Sequence, residues 1–286
     1  MAPSIDQDIQ RKLYDLLSIA APQDHESFRQ FFTCGVVGAN VLVFLGWYHA
    51  DRQASQKKHR LGSSQRGQSK WNLPPQLNKY LDKLPPGEKM EKIMGDNFAL
   101  TEHNVRRGRW WTVLTSAFSH RQVVHLATNM VSFVTCADLA LGPSVGIDPL
   151  SMVILALGSA LAGSGAQLLE WHWQREQRKK GRDSGSSVAL QQVGLGASGM
   201  INGMNVALTL LRPMLPVNVM MLPRPVPMWL ATVAFAAWDY FNLDNAASSG
   251  VGHAAHLGGA AFGALFYLVR LRSLDRMRVS GGWPWY

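Results

Sequence analysis

Hydrophobic and polar positions along this chain separate into blocks. Six apolar runs, at about 31–48, 123–141, 151–169, 193–211, 226–243 and 251–269, are divided by polar and mostly basic segments. A helix needs about 20 predominantly apolar residues to cross the hydrocarbon core of a bilayer. Four of the six runs reach that length comfortably, whereas the fifth is shorter and is interrupted by Asp239. The pattern predicts an all-α membrane protein, a bundle of six transmembrane helices with a long first loop. A soluble helical bundle is the alternative, but six such runs are hard to bury in one soluble core.

The polar blocks set the organisation. Residues 1–29 form a polar N-terminal segment in which "IQRKLYDLLSIA" suits a short amphipathic helix. Its acids, Asp6, Asp8 and Asp15, argue against an acid-poor transit peptide, and it lacks the apolar core of a secretory signal. The membrane domain covers 30–272 and includes a basic connection, 50–110; residues 273–286 are a tail. Within the connection, "KKHRLGSSQRGQSKWNLPPQ" reads as a mobile linker. "DNFALTEHNVRRGRWWTVLTSAFSH" regains apolar and aromatic content and is expected to be ordered at the membrane surface. Prolines 213, 216, 223, 225 and 227 forbid a continuous helix between the fourth and fifth runs.

Composition sharpens this picture. Only 16% of the 286 residues are charged, against about 25% in an ordinary soluble domain. The net charge of +9 sits in loops without a nucleic-acid module, so contact with lipid headgroups, not nucleic acid, explains it. The first and third loops, which share one side of the membrane, carry 19 Lys and Arg against nine on the other side. Cationic loops favour the cytoplasmic or matrix side. Cys34 and Cys136 lie in apolar runs without a disulfide or zinc pattern and read as small buried hydrophobes.

Polar side chains inside membrane helices are costly and mark sites. In the fourth run Ser198, Asn202, Asn205 and Thr209 fall on one helical face, beside Gly194, Gly196, Gly199 and Gly203. In the second, His125, Asn129, Ser132 and Cys136 do the same, just after Ser119 and His120. The sixth opens with "GHAAHLGGAAFG", in which His253 and His256 precede a small face of Gly259 and Gly263. Small faces let helix backbones approach closely. Thin helix six against thin helix four would bring His256 to Ser198.

Each feature has a plainer reading: a serine bonded to its own helix, an interfacial histidine, a polar staple between helices. Their joint occurrence at one membrane depth suits acyl transfer instead. A serine hydroxyl needs a base to take its proton, and imidazole has a suitable pKa. The resulting oxyanion needs fixed donors, which a histidine, an asparagine and the Ser198 backbone N–H could supply. With no carboxylate near these residues in their helices, the pattern favours a Ser–His dyad over a triad. It also disfavours a metal between His253 and His256, and no cofactor is implied. "GLGASG" matches a dinucleotide-loop pattern, but no strand precedes it. The nucleophile-elbow pattern fails at Met200, and H-E-x-x-H is absent.

Over about residues 105–270 these motifs resemble the rhomboid intramembrane serine proteases. "GASG" resembles the family's nucleophile motif and implies Ser198, with Gly196, Gly199 and Asn202 at the pocket. "HAAHLGG" resembles its general-base motif and implies His256. "SHRQVVHLATNM" resembles its oxyanion motif and implies His125 and Asn129, and His120 matches a further histidine above that pair. "HAAHLGGAAFG" is worded most like the mitochondrial rhomboids, which implies the mitochondrial inner membrane, a Golgi or other secretory membrane being the alternative. Two departures stand out. Thr112 follows Trp111 where many members have Trp-Arg, which implies a differently held interfacial loop. Asn202 stands where many bacterial members carry a tyrosine stacked on the base.

The resemblance implies a rhomboid-like bundle that cleaves transmembrane protein substrates in the lipid bilayer. Two other classes compete: an inactive relative that escorts membrane proteins, and a small transporter. Retention of both Ser198 and His256 argues against the first. Polar residues concentrated in one half of the bilayer argue against the second.

Overall fold

The apolar runs fold as helices whose lengths decide which can cross a bilayer. A computed structural model describes residues 25–60, 80–81, 83–180, 192–219, 223–243 and 250–279. The first run becomes α1, His25–Arg60, which continues through the start of the expected linker. The first loop then folds into α2, Gly87–Phe98, and two short pieces, α3, Glu102–Arg106, and α4, Thr112–Thr115. A 3-10 turn, Ser116–Phe118, leads into α5, Val123–Leu141. The third run is α6, Pro149–Lys179, started by Pro149 and by the Asp148 carboxylate, which accepts from Ser151 N at 2.9 Å.

The fourth and fifth runs form shorter helices, α7, Ser198–Leu211, and α8, Met228–Phe241. Between them a small antiparallel ribbon pairs β1, Pro216–Val217, with β2, Val226–Pro227. The sixth run is α9, His253–Phe266, continued by a π-helical turn, Tyr267–Leu271, and α10, Arg272–Val279. The N-terminal segment, most of the linker at 61–79, residues 181–191 and the end of the tail lie outside the described residues.

Four helical stretches are long and apolar enough to cross a membrane: Glu26–Gln56, Val123–Leu141, Pro149–Lys179 and His253–Asp275. At 14 residues each, α7 and α8 extend about 21 Å, short of the roughly 30 Å hydrocarbon core. The fourth run is therefore not helical throughout, as its apolar length suggested. Large apolar side chains such as Leu42, Val131, Leu161, Phe235 and Leu265 face outward. Outward apolar faces on several spans make this an integral, multi-pass membrane protein.

The core lies between α5, α6 and α7, around Phe133, Met152, Leu155, Met204 and Leu208. Cys136 is buried there, but Cys34 is exposed on the outer face of α1, contrary to the sequence reading. The first loop is ordered over 96–120, as expected. Arg109 bridges Asp96 at 3.0 Å and Asn104 Oδ1 at 3.2 Å, and the Asn104 amide donates to Gly95 O and Ala99 O. Thr112, the departure in this loop, is fully buried and donates to Arg109 O at 2.8 Å. A charged and amide-bonded knot therefore holds this loop.

Candidate active site

The serine owes its position to the non-helical start of the fourth run. Gly194 pairs with Leu100 in both directions, at 2.9 and 3.1 Å. Gly196 donates its N–H to Ser116 O at 2.9 Å and takes a φ of +124°, a region L side chains rarely adopt. Ala197 N–H points to His120 Nε2 at 3.4 Å. The chain is non-helical through Gly196 and Ala197 caps the helix with αR dihedrals, so the Ser198 hydroxyl stands at the N-terminus of α7. The first turn of a helix leaves its N–H groups without intrahelical partners.

An imidazole arrives from α9. His256 Nε2 lies 2.8 Å from Ser198 Oγ. Glycine faces make this approach: a Cβ on Gly259 would collide with Gly199 O, and one on Gly263 with Gly203 O. Gly163 of α6 also lies close to Ala255 O, which a Cβ there would meet at 2.8 Å. The two thin helices read from the sequence do meet, and α6 joins them.

One expectation is corrected. The sequence suggested no carboxylate near the pair, yet Asp239 of α8 packs beneath it. Its Oδ1 lies 3.0 Å from His256 Nδ1 and 2.7 Å from His253 Nδ1, with Oδ2 3.1 Å from His256 Nδ1. Asp239 and His253 are both buried. The only local signal was an acid interrupting an apolar run, which in a membrane helix marks a paired group. Among the described residues, Asp239, His253 and His256 offer ligand atoms within 4.8 Å of one another and could hold a metal ion. A cation there would take the imidazoles' Nδ1 atoms from the carboxylate.

The remaining residues surround the serine. The His125 ring abuts Gly196, where a Cβ would meet its Cε1 at 2.8 Å and Nε2 at 3.0 Å. It also packs edge-on against His120 with centroids 4.8 Å apart. Burial, with His125 beside it, pushes the His120 pKa down to about 3. Asn129 is buried and its amide donates to His125 O at 2.8 Å. The Asn202 amide donates to Ser198 O at 3.0 Å. Lower on the stripe, Cys136 donates to Asn205 Oδ1 at 3.0 Å, while Ser132 faces outward. A cavity of about 20 Å³, room for one water, is lined by Ser164, Gly163, Gly196, Gly199 and neighbouring small residues. Ser164, on α6, was not singled out in the sequence.

Comparison with known proteins gives the family. The Rhomboid domain profile matches residues 107–273. RHOMBOID-like protein 12, mitochondrial, of Arabidopsis thaliana is 29% identical over 177 residues, 61% of this chain and 51% of that protein. Rhomboid protease AarA of Providencia stuartii is 25% identical over 178 residues, 60% of each chain. Rhomboid protein 1, mitochondrial, of Saccharomyces cerevisiae is 31% identical over 185 residues, 60% of this chain and 46% of that protein. The chain thus spans about half to three-fifths of the length of these relatives. No solved structure matches it. With more than half of its residues inside the Rhomboid domain, the chain belongs to the rhomboid family.

Proposed function

We propose that this protein is a serine endopeptidase that cleaves transmembrane proteins within the bilayer, in the mitochondrial inner membrane. The observation that carries the reading is the 2.8 Å contact between Ser198 Oγ and His256 Nε2, from separate helices. The printed names of two relatives carry the word mitochondrial, and that of a third the word protease.

The chemistry follows from the contacts. Ser198 Oγ attacks the scissile carbonyl as His256 Nε2 takes its proton. The Ser198 N–H, the His125 ring and the Asn129 amide are the donors for the oxyanion, Asn129 keeping a second N–H beyond the one given to His125 O. The imidazolium then protonates the leaving amine, and the acyl-enzyme remains on Ser198. A water, for which the small cavity has room, gives a proton to His256 and attacks the acyl carbon; the ester bond to Ser198 Oγ breaks, His256 returns the proton to that oxygen, and the new carboxyl group is released. An intact helix keeps its carbonyls bonded internally, so substrates with small or helix-breaking residues at the cut are favoured. Access beside α8 fits, because Met228 and Asp239 are its buried positions and Trp229, Val233, Phe235 and Trp238 are exposed.

The test is labelling of the detergent-purified chain with a fluorophosphonate probe. Labelling should vanish in Ser198→Ala and fall sharply in His256→Ala. Equal labelling of wild type and Ser198→Ala would overturn the reading.

A further inference from the structure

Asp239 is an expensive residue to keep where it is. It sits on a helix whose outward positions include Trp229, Leu230, Val233, Phe235 and Trp238, yet it is itself buried. A carboxylate in such a place persists when it is paired. Its partners here are two imidazoles, both through Nδ1. An ionised carboxylate can only accept, so each Nδ1 carries the proton. For His256 that choice has a chemical consequence: Nε2 is left as the lone-pair atom facing Ser198 Oγ. From α7 the ring is met by Ser198 Oγ, at Nε2, while the Asn202 amide donates to Ser198 O.

We propose that Asp239 is a positioning residue for the Ser198–His256 pair. It fixes the tautomer and plane of His256 and balances the imidazolium formed when the serine proton moves. His253, bonded to the same Oδ1, holds the carboxylate from the other side. This inference rests on the protease reading above and adds a third member to its proton path. It also links that path to α8, because any movement of α8 away from α9 separates Asp239 from His256.

The experiment uses the full chain in detergent and measures the fluorophosphonate inactivation rate, kinact, separately from its binding constant, KI. Asp239→Asn presents an amide that can donate to Nδ1 and so favours the wrong tautomer; kinact is expected to fall by about 10²-fold or more with KI within about twofold. Asp239→Glu, which keeps an acceptor, should recover to within about tenfold of wild type. Groups acting as one unit are non-additive, so Asp239→Asn combined with His256→Ala should label no more slowly than His256→Ala alone. If Asp239→Asn does not melt cooperatively, Asp239→Glu and His253→Ala, the latter expected to lose several-fold in kinact, decide the matter. Wild-type kinact in Asp239→Asn, or multiplicative loss in the double variant, would overturn the proposal while Ser198→Ala remains unlabelled. Labelling of Ser198→Ala would instead overturn the protease reading itself.

Discussion

Gly259 on α9 faces Gly199 on α7 so closely that a Cβ on the first would run into the carbonyl of the second. This contact sits three residues after His256 and one after Ser198, so the backbone approach and the Ser198–His256 distance are one geometric fact. In a membrane no hydrophobic force drives helices together, and close packing of small faces has to do it.

Gly259→Ala should therefore separate α7 from α9. Overpacking of this kind costs about 1–3 kcal/mol, and here it also stretches the Ser198–His256 contact. A lowered thermal midpoint and lost fluorophosphonate labelling should appear together. Gly165→Ala on α6 is the contrast: a Cβ there meets nothing within 4 Å. That change should leave labelling intact and stabilise slightly, by about 0.5–1 kcal/mol, as alanine is the better helix former.

Gly196→Ala tests the oxyanion side. The position needs a φ of +124°, and a Cβ would press on the His125 ring. Backbone strain there costs on the order of 1–3 kcal/mol. If His125 is an oxyanion donor, displacing it should lower kinact by about 10²–10³-fold, matching His125→Ala. Loss of stability with labelling rate unchanged would count against that role.

The site was more legible in the sequence than its supports were. Ser198, His256, His125 and Asn129 announce themselves because polar and small residues recur at helical spacing in otherwise apolar runs. The start of α7 at Ser198 was hidden, because Leu100, Ser116 and His120, which hold residues 194–197, lie about 75–95 positions earlier. Asp239 was visible as an interruption but not as a partner, since no local pattern fixes which face of α8 meets α9. Thr112 read as a departure; only folding shows its hydroxyl tied to Arg109 O.

The first loop offers a pH test. Asp96 receives a hydrogen bond from Lys92 and has Arg109 beside it, and these hold its carboxyl below the usual carboxylate range. A depressed folded pKa contributes stability that is whole above the unfolded value, about 3.9, and lost as pH falls through the folded one. Asp96→Asn should thus lower the thermal midpoint at pH 7, and the gap from wild type should close below about pH 4. A gap that does not narrow at all as pH falls below about 4 would mean that the carboxylate's charge is not what secures the loop.

His120 separates support from chemistry. It is fully buried, its Nε2 faces Ala197 N–H, and its pKa is driven to about 3 by burial. It therefore stays neutral across the working range and cannot supply an acid limb in the rate profile. His120→Ala leaves the Ala197 N–H unanswered, at a cost of about 1–3 kcal/mol, and should loosen the segment that delivers Ser198. His120→Gln restores an acceptor and should recover the labelling rate to within a few-fold, with the pH dependence of kinact unchanged from wild type. A shifted acid limb in that variant would show that His120 titrates during turnover, and would move it from the scaffold into the proton path.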